Sequence, residues 1–214
     1  MIAAVAFDIG ETLINETRIW SRWADRLGVP RLSFIGVLGG VAAQGRPHRE
    51  VFEFFRPGFD LQGELERWRA DDPDGLKSGF DAVDLYPDVR PTFTRLQKMG
   101  KRVVIAGNQP VEARAALEAM DLGADRILIS ADLGSEKPSP NFFDKVGEAV
   151  GLQAGNILYV GDRVDNDVLP AKASGMHAVL IRRGPWGYLQ AEWPQAAEAD
   201  SIIDSLSEIP DLVI

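Results

Sequence analysis

Five short runs of apolar residues constrain this chain more than anything else in it: Ile2 to Ile9, Arg102 to Ala106, Arg126 to Ile129, Asn156 to Val160 and His177 to Ile181. Each is too short for a helix of ordinary length and lacks the alternation of a strand with one wet face. Continuous apolar runs of this length suit strands buried on both faces, as in a parallel sheet. Helical patterns lie between them. Ala113, Ala116, Leu117 and Met120 fall at i, i+3, i+4 and i+7, and Phe143, Val146 and Val150 nearly repeat the spacing. Strands alternating with helices from about residue 88 onward predict an α/β core built of βαβ units.

The stretch from Asn15 to about Asp84 breaks the alternation. It offers helical faces (Trp20, Trp23 and Leu27, then Leu61, Leu65 and Trp68) punctuated by Gly and Pro at 28–30, 45–47, 57–58 and 73–75. About four short helices are predicted there, with the tryptophans as core positions. The organisation expected is a core of residues 1–14 and 85–214 carrying a helical insert, residues 15–84, after the first strand. In open α/β sheets ligands bind beyond the carboxyl ends of the strands, where such an insert is expected to sit. The 214 residues suffice for a core domain with a small insert. The segment from Gly184 onward shows the least pattern.

Composition narrows the chemistry. Lys+Arg number 23 against 32 Asp+Glu, for a net charge of −9, which argues against nucleic acid and anionic membranes as partners. There is no cysteine, so disulfides, thiolate nucleophiles and Cys-bound zinc are excluded. Two histidines, His48 and His177, leave no room for a multi-histidine metal site. No apolar run reaches the ~18 residues of a membrane span. The N-terminus lacks a basic segment before its apolar run, so no signal peptide is expected and a cytoplasmic location is.

Four places could carry chemistry, all at strand ends or strand–helix turns. Asp8 stands where the first buried strand ends, a place for a nucleophile or metal ligand, or simply for a turn aspartate. Gly107-Asn108 follows the second strand, where a small residue and a helix start can cradle an anion, or merely make a turn. Lys137, stiffened by Pro138, could neutralise a bound phosphoryl group or be an ordinary surface lysine. Gly161-Asp162-Arg163-Val164-Asp165-Asn166-Asp167 crowds three aspartates behind a strand. Such crowding calls for a hard cation such as Mg²⁺, unless the turn is simply solvated.

Taken together and in this order, Asp8, Gly107-Asn108, Lys137-Pro138 and Gly161-Asp162 with Asp167 resemble the haloacid dehalogenase superfamily of hydrolases, whose commonest members are Mg²⁺-dependent phosphatases. The resemblance runs from Ile2 to about Leu206, with Ser201 to Leu206 as the last strand and helix. It implies a Rossmann-like parallel sheet with a helical cap after the first strand. It implies that Asp8 forms an aspartyl-phosphate, and that Mg²⁺ is held by Asp8, the Gly10 carbonyl and Asp162, with Asp167 as a second ligand or supporting partner. Lys137 would offset negative charge, and the Gly107 and Asn108 amides would hold a phosphoryl oxygen. A small phosphorylated metabolite is the substrate implied.

Two departures stand out. Most phosphatases of the family carry a second aspartate two residues after the nucleophile, acting as general acid; here the residue is Gly10. Glu11 is the substitute by chemistry, although successive side chains at a strand end point in different directions, and a solvated turn glutamate is the competing expectation. Gly107 stands where the family usually has Ser or Thr, leaving Asn108 or water to replace that hydrogen bond. His48, at an apparent helix start in a basic segment, could contact an anionic substrate or act as the acid, or be a surface residue. Dehalogenases of the family have Tyr at the Gly10 position and lack the acidic cluster. Phosphonoacetaldehyde hydrolases need a lysine early in the insert, whereas its only lysine is Lys77. A member that binds a phosphorylated ligand or protein without turnover is the alternative from another class.

Overall fold

The structure is a computed structural model that describes residues 1–72 and 79–214. Lys77 lies outside the described residues. Six strands form one parallel sheet: β1 (Ala4–Phe7), β2 (Arg102–Gly107), β3 (Arg126–Ile129), β4 (Ile157–Gly161), β5 (His177–Ile181) and β6 (Ser201–Ile203). Their spatial order is β3-β2-β1-β4-β5-β6. All of β1 and β4 is buried, as continuous apolar runs require when helices cover both faces. The sheet and its helices make the α/β, Rossmann-like architecture expected.

The helices are α1 (Thr17–Leu27), α2 (Arg31–Ala43), α3 (Val51–Phe55), α4 (Leu61–Asp71), α5 (Val89–Lys98), α6 (Ala113–Ala119), α7 (Ser130–Leu133), α8 (Pro140–Val150), α9 (Leu169–Ala173), α10 (Gly184–Gln190) and α11 (Ile209–Leu212). The sequence of α8 specifies both its ends. Pro140 opens the first turn, where its missing N–H costs nothing, and Gly151 closes it at φ 68° with its N–H on the Gly147 and Glu148 carbonyls. Between them Phe142, Phe143, Val146 and Val150 turn inward and join the core on one side of the sheet.

Two compact units divide the chain: residues Met1–Asn15 with Leu85–Ile214, and residues Glu16–Asp84. The second unit has an aromatic centre. Trp23 meets Trp68 edge-on at 4.6 Å and Phe52 at 4.8 Å, while Phe34 stacks on Phe55 at 5.4 Å. Trp23 and Trp68 are thus core residues; Trp20 is half-buried, its ring 5.7 Å from the exposed His48 ring. Glu64 anchors α4 to α1 by accepting from Arg26 at 2.7 Å. Among the described residues no single helix is long and apolar enough to cross a membrane.

The strand register positions the chemistry. Phe7 pairs with Ile105 on one side and Val160 on the other, so Asp8, Ala106-Gly107 and Gly161-Asp162 leave the sheet at one level. Chain direction through the sheet reverses at β1: β2 and β3 extend one way, and β4, β5 and β6 the other. The crevice at such a reversal is where α/β sheets bind ligands.

Candidate active site

Asp8 follows β1 and donates its backbone N–H to the Val160 carbonyl, which ties it to the sheet. The chain then curls, the Leu13 and Ile14 amides both reaching back to the Ile9 carbonyl, and Gly10 bridges to Ile14. This curl ends the first strand at Phe7, short of the apolar run that predicted it. Lys137 enters from the segment before α8. Its Nζ donates to Asp8 Oδ1 and Asp167 Oδ1, each at 2.6 Å, and sits 5.5 Å from the centre of the Tyr159 ring. Lys137 is 3% exposed, so the surface-lysine alternative is set aside.

Two strand-end glycines give these groups room. A Cβ on Gly107 would lie 2.6 Å from Asp8 Oδ1, and one on Gly161 would lie 2.4 Å from Asp167 Cγ. Gly107 is therefore more than a missing hydroxyl: the nucleophile candidate packs across its bare backbone. Asn108 does not replace that hydroxyl with its side chain, which is spent on the Lys137 backbone. Asn108 Nδ2 donates to the Lys137 carbonyl at 2.9 Å, and the Lys137 N–H donates to Asn108 Oδ1 at 2.8 Å. This two-way clamp fixes the height at which the lysine emerges.

Asp8, Asp162 and Asp167 each offer an oxygen within 4.8 Å of the others. Asp167 spends both oxygens, Oδ1 on Lys137 and Oδ2 on the Arg163 N–H at 3.0 Å. Asp162, 5% exposed, makes no side-chain hydrogen bond or ion pair among the described residues. An orphaned buried carboxylate beside two others fits a small divalent cation with hard oxygen ligands. The electrostatics agree. Burial, then Asp167, Asp8 and Glu11, push the Asp162 carboxyl well above its ordinary value. Burial likewise pushes Asp167 up to about 6, against the pull of Lys137. Burial works against the Lys137 charge, but Asp167 and Asp8 outweigh it and hold the ammonium firmly protonated.

Glu11 corrects one expectation. It is not a solvated turn residue: it is buried, at φ 49°, and Tyr86 donates its hydroxyl to Glu11 Oε2 at 2.5 Å. The left-handed backbone turns its side chain inward, where a Cβ on Gly184 would stand 2.4 Å from Glu11 Cγ. Arg183 lies 4.0 Å from the centre of the Tyr86 ring, donates to the Thr12 carbonyl at 2.8 Å and pairs with Asp88. The β1 loop is thus held by Tyr86 and by Arg183, just after β5. Burial, then Glu11, raises the Tyr86 phenol, so Tyr86 stays a donor and Glu11 an acceptor. Of the three aspartates crowded behind β4, Asp165 is not part of the carboxylate group; Arg163 and Gln190 hold it. His48 belongs to the second unit. Tyr86, Arg183 and Gln190 carried no signal in the sequence, because their roles depend on partners far along the chain.

The family model of the haloacid dehalogenase-like hydrolases matches residues 2–175. The chain is 28% identical over 205 residues to a glyceraldehyde 3-phosphate phosphatase of Methanopyrus kandleri, covering 87% of this chain and 86% of that one. It is 35% identical over 163 residues to the phospholysine phosphohistidine inorganic pyrophosphate phosphatase of Mus musculus, covering 66% of this chain and 60% of that one. A solved structure, a HAD phosphatase from Thermococcus onnurineus, superposes with a TM-score of 0.61 at 25% identity, covering 99% of this chain and 98% of that one.

Proposed function

This chain belongs to the haloacid dehalogenase-like hydrolases, and from that premise we propose that it is a Mg²⁺-dependent phosphatase that forms an aspartyl-phosphate on Asp8. The single observation that carries this reading is Lys137, buried and bridging Asp8 and Asp167, two of the three carboxylates that converge with Asp162. A carboxylate with a fixed ammonium on one oxygen is aimed, as a nucleophile must be. Asp8 attacks phosphorus, the Asp8 O–P bond forms, and the bond to the leaving group breaks with its electron pair. Water then attacks the same phosphorus, the Asp8 O–P bond breaks with its electron pair to return the carboxylate, and the phosphate leaves with the oxygen and protons of the water. The Gly107 and Asn108 amides at the end of β2 hold a phosphoryl oxygen through backbone N–H groups. Asp8, the Gly10 carbonyl and Asp162 would hold Mg²⁺, with Asp167 fixed beside them. Bound there, the ion offsets the charge of the phosphoryl group and the carboxylates.

Gly10 offers no proton to the leaving group, and Glu11 is engaged by Tyr86 as an acceptor. The substrates favoured are therefore those whose leaving group departs unprotonated: aryl phosphates, acyl phosphates and inorganic pyrophosphate, the last also in the name of the mouse relative. Glyceraldehyde 3-phosphate, an alkyl phosphate named for the Methanopyrus relative, is the contrasting substrate. The same two glycines, Gly10 and Gly107, favour the second reading, a member that binds a phosphorylated ligand without turning it over.

The test is phosphate release from an aryl phosphate, pyrophosphate and glyceraldehyde 3-phosphate, with Mg²⁺ and with chelator, for wild type, Asp8→Asn and Gly10→Asp. Turnover that needs Mg²⁺ and disappears in Asp8→Asn is expected. General acid catalysis contributes ~10²–10⁴-fold, so Gly10→Asp should raise alkyl turnover far more than aryl turnover. Retained turnover in Asp8→Asn removes the nucleophile, and equal kcat/KM for alkyl and aryl phosphates removes the leaving-group preference. Mg²⁺ and ligand binding without turnover, together with turnover by Gly10→Asp, puts the binding reading first.

A further inference from the structure

We propose that Gln190, at the end of α10, is a positioning residue that sets the geometry of the Asp162 and Asp167 carboxylates; this rests on the metal-dependent reading above. Both carboxylates belong to one segment, which leaves β4 at Gly161 and winds through a π-helical turn, Val164–Val168. The turn closes hydrogen bonds of its own at its later residues, the Asp167 and Val168 amides on the Arg163 carbonyl, whereas the Val164 and Asp165 amides at its start find their acceptor outside it. Gln190 is completely buried and turns its amide to that segment. Its Oε1 accepts from the Val164 N–H at 2.6 Å and more distantly from the Asp165 N–H at 3.4 Å. Its Nε2 donates to Asp165 Oδ1 at 3.0 Å.

The grip is doubled by Arg163. Its Nε and Nη2 hold the two oxygens of Asp165 at 3.0 and 2.7 Å, and its guanidinium lies 5.3 Å from the centre of the Trp186 ring. Trp186 and Gln190 are four residues apart on α10 and share its inner face. The same segment then places Asp167, whose Oδ2 takes the Arg163 backbone N–H. Gln190 thus does two things. It fixes the backbone between Asp162 and Asp167, and it holds the third aspartate in a neutral pairing, apart from the carboxylates that converge on Lys137. A fourth carboxylate turned inward would change the donor set and add another like charge to a buried cluster. Groups hydrogen-bonded to metal ligands commonly change metal affinity ~10–100-fold when removed, and Gln190, which acts on the backbone between the ligands, belongs at the low end of that range.

The experiment is calorimetric titration of Mg²⁺ into wild type, Gln190→Met, Gln190→Glu and Leu96→Ala, with the Tm of each recorded in chelator. Leu96 is buried in α5 and makes a cavity when trimmed, so it reports loss of stability alone. Gln190→Met should raise the Mg²⁺ Kd ~10-fold or more. Gln190→Glu, which keeps an acceptor for the Val164 N–H, should raise it less. Leu96→Ala should lower Tm and leave Kd in place. A Gln190→Met protein that binds Mg²⁺ as wild type does, or a Leu96→Ala protein that weakens it equally, overturns the proposal. Should Gln190→Met fail to fold, an unchanged Kd in Gln190→Glu overturns it instead. Wild type that takes up no Mg²⁺ removes the metal-dependent reading along with it, and is told apart because no variant is then needed.

Discussion

Acidifying the chelated protein from pH 8 to pH 5 should stabilise it, the reverse of ordinary acid denaturation. Asp167 is pushed from 3.8 to about 6 by burial, and Asp162 is pushed up as well by burial and by Asp167. A carboxyl raised in the native state holds its proton more tightly when folded. Its stabilising contribution is complete below the unfolded value and is lost as pH rises through the native one. For Asp167 that whole contribution is about 3 kcal/mol, of which about 1.4 kcal/mol returns by pH 5. For a chain of this size Tm should rise about 3–6 °C. The carboxylates held low, Glu64 by Arg67, Asp81 by the Val83 N–H and then Arg18, and Asp200 by Lys172 against its burial, begin to oppose this only nearer their ordinary values of 3.8 to 4.5, which sets the window. The assay is thermal unfolding in chelator for wild type and Asp167→Asn, repeated with saturating Mg²⁺. Asp167→Asn should show a smaller rise, and Mg²⁺ should reverse the trend, because the ion needs ionised ligands. A wild-type Tm that stays flat or falls between pH 8 and pH 5 in chelator refutes the electrostatic account of the cluster.

Two substitutions probe the same cluster from other sides. Lys137→Met leaves Asp8 and Asp167 facing each other without their shared ammonium and should cost ~3–5 kcal/mol in chemical denaturation, partly restored by Mg²⁺; a variant as stable as wild type would show that the bridge adds little. Gly107→Ser restores the side chain usual in the family, but its Cβ would lie 2.6 Å from Asp8 Oδ1, so the carboxylate must turn from Lys137. Steady-state kinetics should show kcat falling with KM little changed, and a faster enzyme would contradict the packing.

Much of the fold was legible because burial on both faces leaves a direct mark on sequence. The runs Arg126–Ile129 and His177–Ile181 match their strands residue for residue. The first run overshot its strand because the curl at Ile9 is set by backbone hydrogen bonds to its own carbonyl, to which side-chain hydropathy is blind. The helix α10 was missed for a similar reason: its sequence GPWGYLQ has two glycines and a proline and too few turns to show a period. At the site, Asp8, Lys137, Asp162 and Asp167 stood out as charges in strand-end positions, and the structure brings all four together. Glu11 stood out by its chemistry, and the solvated alternative failed because a positive φ in a non-glycine residue leaves no trace in composition. Tyr86 and Gln190 act through partners 75 and 26 residues away, a relation that only the folded chain supplies.

The bridge between Ile14 and Leu85, with the Tyr86 N–H on the Leu13 carbonyl, makes a doorway of neighbouring residues through which the chain departs and returns. Roughly 90 residues separate β1 from β2 along the chain, and a free loop of that length would tax the pairing of the two strands. With the doorway latched, only about 24 residues remain as slack, which lowers the closure entropy by about 1.2 kcal/mol. What lies beyond the latch is then irrelevant to how the sheet assembles, provided its two ends emerge side by side. Modules of quite different length can therefore be traded at this point with little effect on the sheet. The inserted unit is free to change at one point of the chain while the carboxylates and their lysine stay where they are.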